Sequence, residues 1–348
     1  MPEGDFYNEK IFRQFQNKVV NESTSKLTEI NHCYSCSDKA ALAVMTWHWH
    51  LGHHLWNELT ALFHLHEKST ENLSVLVTCN ESEHYGPLST LFANEKWAFI
   101  YKNTESLAEY CFLNNILLIP VISKYIKSNL SQKLLRYAKN NEFFLQKTFE
   151  EKTKDLNILV NIRTGNRYLV NQVDFFIHLS DSLEKLGFSH NLILDGTNIN
   201  KGKGGQSVDT QDSINREMEI ANKIESNVSK NVGVFNLLGA SVTASICACD
   251  LSDFFIAPWG AGLAKYSWVA KKQGFVFSNS ETLTNKHDLD IYHSSKYIEN
   301  PSSIEFFPTN LITDMSSDND DPFRANYEIF VEEAVLFVLS KSKLIKEN

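Results

Sequence analysis

Residues 254–277, FFIAPWGAGLAKYSWVAKKQGFVF, indicate how this 348-residue chain folds. An apolar run of strand length, residues 254–257, leads into a turn that contains two glycines. Residues 262–272 then have the apolar spacing of a helix that Gly274 closes, and a second apolar run follows at residues 275–277. Strand, turn, helix and strand in this order form one unit of a parallel sheet covered by helices.

The same alternation recurs along the chain. In the second half, strand-like and helix-like runs alternate at residues 156–163, 173–186, 191–194, 210–229, 232–237, 243–250 and 254–257. The first half has helical patterns at residues 38–66, 85–93 and 131–140, and strand-like runs at residues 72–79, 97–102 and 115–122. This rhythm predicts mostly parallel, doubly wound sheets with helices on both faces.

A polar segment, residues 147–155 (KTFEEKTKD), separates the two halves as a linker or an interdomain helix. We therefore predict two Rossmann-like α/β domains, an N-terminal one over residues 1–150 and a C-terminal one over residues 151–348. The last helical pattern, residues 326–340, is amphipathic and is expected to pack back across the domains. Ligands of such folds bind at the carboxyl ends of the strands, so the cleft between the domains is the predicted site.

Composition and charge exclude several classes of protein. With 42 acidic and 33 basic residues the net charge is −9, and no basic face stands out, which argues against a nucleic-acid binder. The first residues lack a signal-peptide pattern, and no apolar stretch reaches the roughly 18 residues of a membrane span. The six cysteines are expected to be reduced thiols. We therefore expect a cytoplasmic protein.

The turn Trp259-Gly260-Ala261-Gly262 is the first candidate for binding a ligand. Glycines at a strand-to-helix turn let the backbone approach a ligand closely, and the helix that begins after Gly262 offers unpaired N–H groups to a phosphate. The alternative is a tight turn that merely needs small residues.

A second candidate segment is residues 161–172, NIRTGNRYLVNQ. Arg163 ends the first strand of the second half and Arg167 follows four residues later, so two guanidinium groups could bind a phosphate with paired hydrogen bonds. Asn171 and Gln172 stand at a helix start, where Asn171 could cap the helix. The alternative places both arginines on the surface and leaves Asn171 as a cap only.

The third segment, residues 47–66, contains six of the 12 histidines. His50 and His54 would lie one helical turn apart, as a metal-binding pair does, but the spacing matches no standard zinc signature and the Cys33–Cys36 pair is weak evidence. Glu58 is four or five residues from His54 and His53, so a histidine–carboxylate pair facing the cleft is possible. The alternative is an amphipathic helix whose aromatic and histidine side chains line a core.

Several common enzyme signatures are missing. The sequence contains no G-x-S-x-G elbow, Walker loop, HExxH motif or kinase signature. The G-x-G-x-x-G fingerprint is also absent, because Gly262 is followed by Leu-Ala-Lys. Hydrolases of those classes and dehydrogenases are therefore disfavoured.

Taken in this order, the three segments resemble glycosyltransferase family 61. The residues 52–62, GHHLWNELTAL, are similar to the family's stretch G-H-W-L-x-D-E-L-P-R-L. The arginines and Asn171-Gln172 fill the places of its arginine cluster and Asn-Glu pair, and residues 259–265, WGAGLAK, match its signature H-G-A-G-L-x-N. Trp259, Lys265 and Asn57 differ from the family's His, Asn and Asp.

The resemblance implies a GT-B architecture, in which two Rossmann-like domains face a cleft and the second binds a nucleotide-sugar. It also implies an inverting enzyme that needs no metal or other cofactor. Glu58 or His53 is then the candidate base, while the departing phosphate is met by the donor-binding residues, which are Arg163, Arg167, Asn171, Gly260, Ala261, Gly262, Leu263 and Lys265. Trp56 and Trp259 could offer flat faces to a sugar ring.

The resemblance further implies the partners of the reaction. The donor is a nucleotide-sugar and the acceptor a glycan or a lipid-linked glycan of cell-surface polysaccharide synthesis, reached at the inner membrane face by peripheral association. Two alternatives stay open. One is a polysaccharide pyruvyl- or phospho-group transferase of similar architecture. The other is a non-catalytic nucleotide- or glycan-binding protein, which the replacements at Trp259 and Lys265 motivate.

Overall fold

A computed structural model describes residues 41–46, 50–68, 75–79, 83–93, 97–102, 116–120, 123–151, 154–199, 208–315 and 321–342. The cysteine pair Cys33–Cys36 and His48 lie outside these residues.

The second half of the chain forms a sheet of six parallel strands, in the spatial order β10-β9-β8-β5-β6-β7. In chain order these strands are β5 Leu156–Asn161, β6 His190–Asp195, β7 Gly233–Asn236, β8 Phe254–Pro258, β9 Gly274–Phe277 and β10 Ile304–Phe306. The first strand of this set, β5, therefore lies between β6 and β8, and the chain winds outward from it in both directions. This is a Rossmann-like α/β fold, as the strand–helix alternation predicts.

Helices connect these strands at the predicted places. Their bounds, with the two helices that precede the sheet labelled α3 and α4, are α3 Ser128–Asn141, α4 Phe143–Glu151, α5 Gln172–Lys185, α6 Val208–Asn227, α7 Val242–Leu251, α8 Ala264–Ala270, α9 Ser280–Thr284, α10 Lys286–His293 and α11 Val331–Lys341. Gly187 ends α5 in the left-handed region, with φ of 86°. Helix α8 is a π-helix, in which the Lys271 amide donates to the Tyr266 carbonyl five residues back.

The first half contains a four-stranded parallel sheet in the order β3-β2-β1-β4. Its strands are β1 Ala41–Thr46, β2 Val75–Cys79, β3 Ala98–Lys102 and β4 Ile116–Pro120. The prediction of a helix over residues 38–66 is wrong for β1, which pairs with β2 on one side and β4 on the other. A central parallel strand is a continuous apolar run, and hydrophobic periodicity does not separate such a run from a buried helix.

After β1 the chain forms a continuous helix, α1, from three segments: Leu51–His53, the π-helical His54–Leu59, and Thr60–Glu67. A short helix, α2 Leu88–Leu91, follows β2. Buried residues of α1, such as Leu55 and Leu59, share one apolar cluster with Leu130 of α3 and Trp268 of α8. The two halves of the chain therefore contribute to one core.

The predicted linker is helical and belongs to this packing. Residues 147–151 lie in α4, and both α3 and α4 pack against α7 of the six-stranded unit. At the carboxyl end, residues 327–329 form a short strand, β12, paired with β11 Ile312–Asp314, before α11 begins. Helix α11 buries Ala334 and Val338 in the core of the six-stranded sheet and packs on α5.

Candidate functional site

The turn after β8 lies at the centre of the carboxyl edge of the six-stranded sheet. Because β8 and β5 are the adjacent strands from which the chain winds in opposite directions, this is the switch point at which open α/β sheets bind ligands. Gly260 has φ of 155°, and a Cβ atom added to it would lie 2.7 Å from Arg163 Nη1. The glycine therefore provides the space into which the arginine reaches from the neighbouring strand.

Arg163 is held in place by several contacts. Its Nη1 donates to the Trp259 carbonyl at 3.0 Å, and its Nε and Nη2 donate to the carbonyl and side-chain oxygens of Asn166, each at 3.1 Å. Gln172 fixes the backbone of Arg163, since its Oε1 accepts from the Arg163 amide and its Nε2 donates to the Arg163 carbonyl. Within the part of the chain that the structure describes, these contacts use three of the five guanidinium N–H groups, so two could donate to a ligand. Burial lowers the pKa of Arg163, which nevertheless stays charged.

Arg167 lies against the same turn. Its guanidinium carbon is 4.7 Å from the centre of the Trp259 ring and 4.5 Å from that of Phe323. The backbone of Arg167 has φ of 52°, in the left-handed region that residues other than glycine rarely adopt. The structure therefore brings together the two arginines and the glycine turn that the sequence singles out.

The short segment that carries Phe323 is tied to the sheet by Asn279, which follows β9. The Asn279 Nδ2 donates to the carbonyls of Pro322, Phe323 and Ala325 at 2.9–3.1 Å. Its Oδ1 accepts from the Thr282 amide and so caps α9. One buried amide therefore holds the segment that carries Phe323.

Two predictions about this region need correction. Asn171 stands at the start of α5 but makes no capping hydrogen bond; its side chain donates to and accepts from the backbone of Ile329 in β12. The predicted row of unpaired amides after the turn is also wrong in part. The amides of Leu263, Ala264 and Lys265 donate to the carbonyls three residues earlier.

The other residues of the turn differ in their burial. Leu263 is fully buried in the core, whereas Ala261 and Gly262 are partly exposed at the turn. Helix α8 has only seven residues and begins after Leu263, so its dipole is short. The arginine side chains are therefore the stronger source of positive charge at this turn.

Lys265 points into the protein, where it forms a buried ion pair. Its Nζ lies 2.8 Å from Asp195 Oδ2 at the end of β6 and 2.6 Å from Asn198 Oδ1, and only 1% of its side chain is exposed. Asp195 also accepts hydrogen bonds from the hydroxyls of Ser245 and Tyr266. The Lys265 ammonium is thus neutralised by Asp195 instead of facing the turn.

This network is not foreseen from the sequence. Asp195 is a lone carboxylate that ends an apolar strand, NLILD, which is the only signal that a search could have used. Beside it, Glu217 of α6 accepts from the amide and the hydroxyl of Thr197, at 2.7 and 2.8 Å. Burial raises the pKa of Glu217. Charged groups, Lys265 and Glu217, therefore hold the segment that follows β6 through contacts with Asn198 and Thr197.

The histidine segment lies close to the turn, since a Cβ atom on Gly52 would be 3.9 Å from the Ala261 Cα. Of the two possible histidine–carboxylate pairs the structure contains His54–Glu58, with Nδ1 and Oε2 at 2.7 Å. Both side chains are buried, at 0% and 1% exposure, so Glu58 does not face open space. His53 is partly exposed, and its Nδ1 lies 3.2 Å from Asn57 Oδ1.

Burial dominates the electrostatics of these histidines. It lowers the pKa of His53 and His54, and it lowers that of His50 to about 4 with help from the neighbouring His53 and His84. Within the ranges given above, no group of three or more His, Cys, Asp or Glu side chains has an arrangement that could hold a metal ion. Because their pKa values are lowered, His50, His53 and His54 are neutral at neutral pH.

The two tryptophans proposed as sugar platforms differ in their surroundings. Trp56 donates from Nε1 to the Lys124 carbonyl and packs against the rings of Trp268 and Tyr297, which makes it part of the core between the two halves. Trp259 is partly exposed but has Arg167 over its ring. Trp259 is therefore the tryptophan that belongs to the site.

No protein-family model matches the chain, and no curated protein matches it either. Among the helices that the structure describes, none combines the length and apolarity that crossing a membrane requires.

Proposed function

We propose that this protein is a glycosyltransferase of GT-B architecture that moves a sugar from a nucleotide-sugar to an acceptor hydroxyl. The observation that carries the proposal is the convergence of Arg163 and Arg167 on the turn after β8, at the switch point of a Rossmann-like sheet. A pair of guanidinium groups at this place suits the phosphates of a nucleotide.

In this mechanism the arginines stabilise the leaving group. As the bond from sugar to phosphate breaks, negative charge grows on the departing phosphate oxygen, and the two remaining N–H groups of Arg163 can donate to it. The contacts to Trp259 and Asn166 hold the guanidinium before the reaction begins, so little reorganisation is needed. Arg167 adds a second positive charge beside the same turn.

The acceptor side belongs to α1. The acceptor hydroxyl must lose a proton, and His53 is the candidate base because it is partly exposed and neutral at neutral pH. With Nδ1 donating to Asn57, Nε2 is the nitrogen that accepts the proton. Burial lowers the pKa of His53, while the hydrogen bond to Asn57 and then the charge of Glu58 raise it by less. The acceptor that we propose is a glycan or lipid-linked glycan handled in the cytoplasm at the inner membrane face.

The test is a thermal-shift screen with UDP, GDP, dTDP, CMP and their sugars, with and without EDTA. A nucleotide at a hundredfold excess over its Kd stabilises the protein by about 2.7 kcal/mol. We expect one nucleotide to raise the melting temperature equally with and without EDTA. Arg163→Ala should abolish this rise, because it removes the guanidinium but keeps the backbone contacts to Gln172.

The matched control is Arg136→Ala on the exposed surface of α3, which should leave the shift unchanged. Arg163→Lys separates charge from geometry, since lysine keeps the charge but loses the paired donors. No shift with any nucleotide, or an equal shift in Arg163→Ala, would refute the proposed function. A large fall in melting temperature on adding EDTA alone would indicate a bound metal, for which the histidine segment is the candidate site.

A second candidate is a nucleotide-binding protein without transfer activity. The burial of Glu58 against His54 favours it, because the predicted carboxylate base cannot reach an acceptor in this conformation. Turnover measurements separate the two candidates. A transferase should lose turnover but not nucleotide binding in His53→Ala, whereas a binding protein has no turnover to lose.

A further inference from the structure

Trp259 contacts both arginines of the site with different parts of its structure. Its backbone carbonyl accepts from Arg163 Nη1 at 3.0 Å, and its indole ring lies 4.7 Å from the centre of the Arg167 guanidinium. Two like charges, which repel each other, are thus gathered at one neutral residue. Only the contact with Arg167 depends on the Trp259 side chain.

Arg167 lies in a corner between two aromatic rings. The rings of Trp259 and Phe323 are 5.8 Å apart at an angle of 78°, and the guanidinium carbon is over each of them. Each ring attracts a cation. The two rings together restrict the guanidinium more than either would alone.

The rest of the corner is fixed as well. Phe323 is in the segment that Asn279 holds through three carbonyl groups. Arg167 has the left-handed backbone conformation, which costs free energy and persists only where the surrounding structure enforces it. Such strain is concentrated at binding sites and active sites.

We propose that Trp259 is a positioning residue that sets the affinity of this site for its anionic ligand. Together with Phe323 it holds Arg167 beside Arg163, so that both guanidinium groups bind the phosphoryl oxygens of one ligand. The inference rests on the proposed function for the identity of that ligand, whereas binding by both guanidinium groups depends only on phosphoryl chemistry.

The experiment is a double-mutant cycle of Trp259→Leu and Arg167→Ala, measured by calorimetric titration. Two probes are used: inorganic pyrophosphate, and the best binder among UDP, GDP, dTDP and CMP. Leucine at position 259 removes the ring but keeps the carbonyl that accepts from Arg163. We expect Trp259→Leu to weaken binding of both probes roughly 3- to 30-fold, the range of a cation–π contact.

Three comparisons make this result specific. In the Arg167→Ala background, Trp259→Leu should weaken binding less than about twofold, because the partner of the ring is already gone. Trp259→Phe should restore most of the affinity, since phenylalanine keeps an aromatic face. Phe144→Leu, at a side chain 83% exposed on α4, is the control and should change nothing.

The outcomes separate the inference from the proposed function. If a nucleotide binds but the effects of Trp259→Leu and Arg167→Ala are additive, the inference is overturned and the proposed function stands. If pyrophosphate alone binds and the effects of the two substitutions are coupled, the positioning of Arg167 by Trp259 is supported and the nucleotide-dependent function fails. If neither probe binds, both are overturned. Should Trp259→Leu fail to fold, Phe323→Leu replaces it in the same cycle.

Discussion

The buried pair of Asp195 and Lys265 allows a prediction of stability whose size follows from the structure. In Asp195→Ala, the Lys265 ammonium stays buried, with the Asn198 Oδ1 oxygen 2.6 Å from its Nζ. In Lys265→Met, Asp195 still accepts from the hydroxyls of Ser245 and Tyr266. Asp195→Ala should therefore destabilise the protein more than Lys265→Met.

Removing one partner of a buried ion pair costs about 3–5 kcal/mol. For a chain of 348 residues that melts as one unit, each kcal/mol lowers the melting temperature by about 1.4 °C, so Asp195→Ala should lower it by roughly 4–7 °C. The double variant Asp195→Ala with Lys265→Met replaces the pair by apolar groups. It should recover at least half of that loss, because no buried charge is left unpaired.

The assay is urea unfolding followed by tryptophan fluorescence, together with calorimetric melting of the four proteins. A loss in the double variant equal to the sum of the two single losses would show that the residues act independently. A loss below about 1 kcal/mol for Asp195→Ala, the size typical of a surface ion pair, would refute the reasoning as well.

Three further predictions concern the site and its supports. Gly260→Ala should weaken nucleotide binding about as much as Arg163→Ala while the protein stays folded, because the added methyl group displaces Arg163 Nη1. Isothermal titration measures the affinity, and an unchanged affinity in Gly260→Ala would contradict the prediction. The pKa of His50 is lowered to about 4, against about 6.5 in the unfolded chain, so the unfolded chain binds the proton first. The free energy of unfolding should therefore keep its full value above pH 6.5 and fall by roughly 2–3 kcal/mol toward pH 4. Urea unfolding of His50→Gln should show a smaller fall over this pH range, and an equal fall in both proteins would contradict the prediction. Asn279→Asp should cost at least about 3 kcal/mol by urea unfolding, because it places a carboxylate against three carbonyl oxygens, and Asn279→Ala should cost less.

Much of the fold could be predicted from local pattern. The strands β5, β6, β8 and β9 and the helices between them lie within a few residues of their predicted places, because each is a short apolar or amphipathic run bounded by glycine or polar residues. The error at β1 has a local cause too. A central strand and a buried helix present the same continuous apolar run, so pairing with β2 and β4 settles its structure.

The candidate site was predictable only in part. Arg163, Arg167 and the glycine turn were found because charged residues and glycines at the ends of strands are visible in the sequence. Their mutual contacts were not, since Arg163 and Trp259 are 96 residues apart. The pairing of Lys265 with Asp195, across 70 residues, and the use of Asn171 as a link to β12 were missed for the same reason.

The sequence alone thus determined the alternation of strands and helices and the places where their connecting turns carry arginine or glycine. These features depend on neighbours a few residues away, through hydrophobic periodicity and backbone conformation. Tertiary structure decided which side chains are buried and which groups they contact: it buried Glu58 and Lys265 in pairs and placed Arg167 over Trp259. Desolvation and ion pairing depend on groups that are distant in sequence and adjacent only after the sheet has formed.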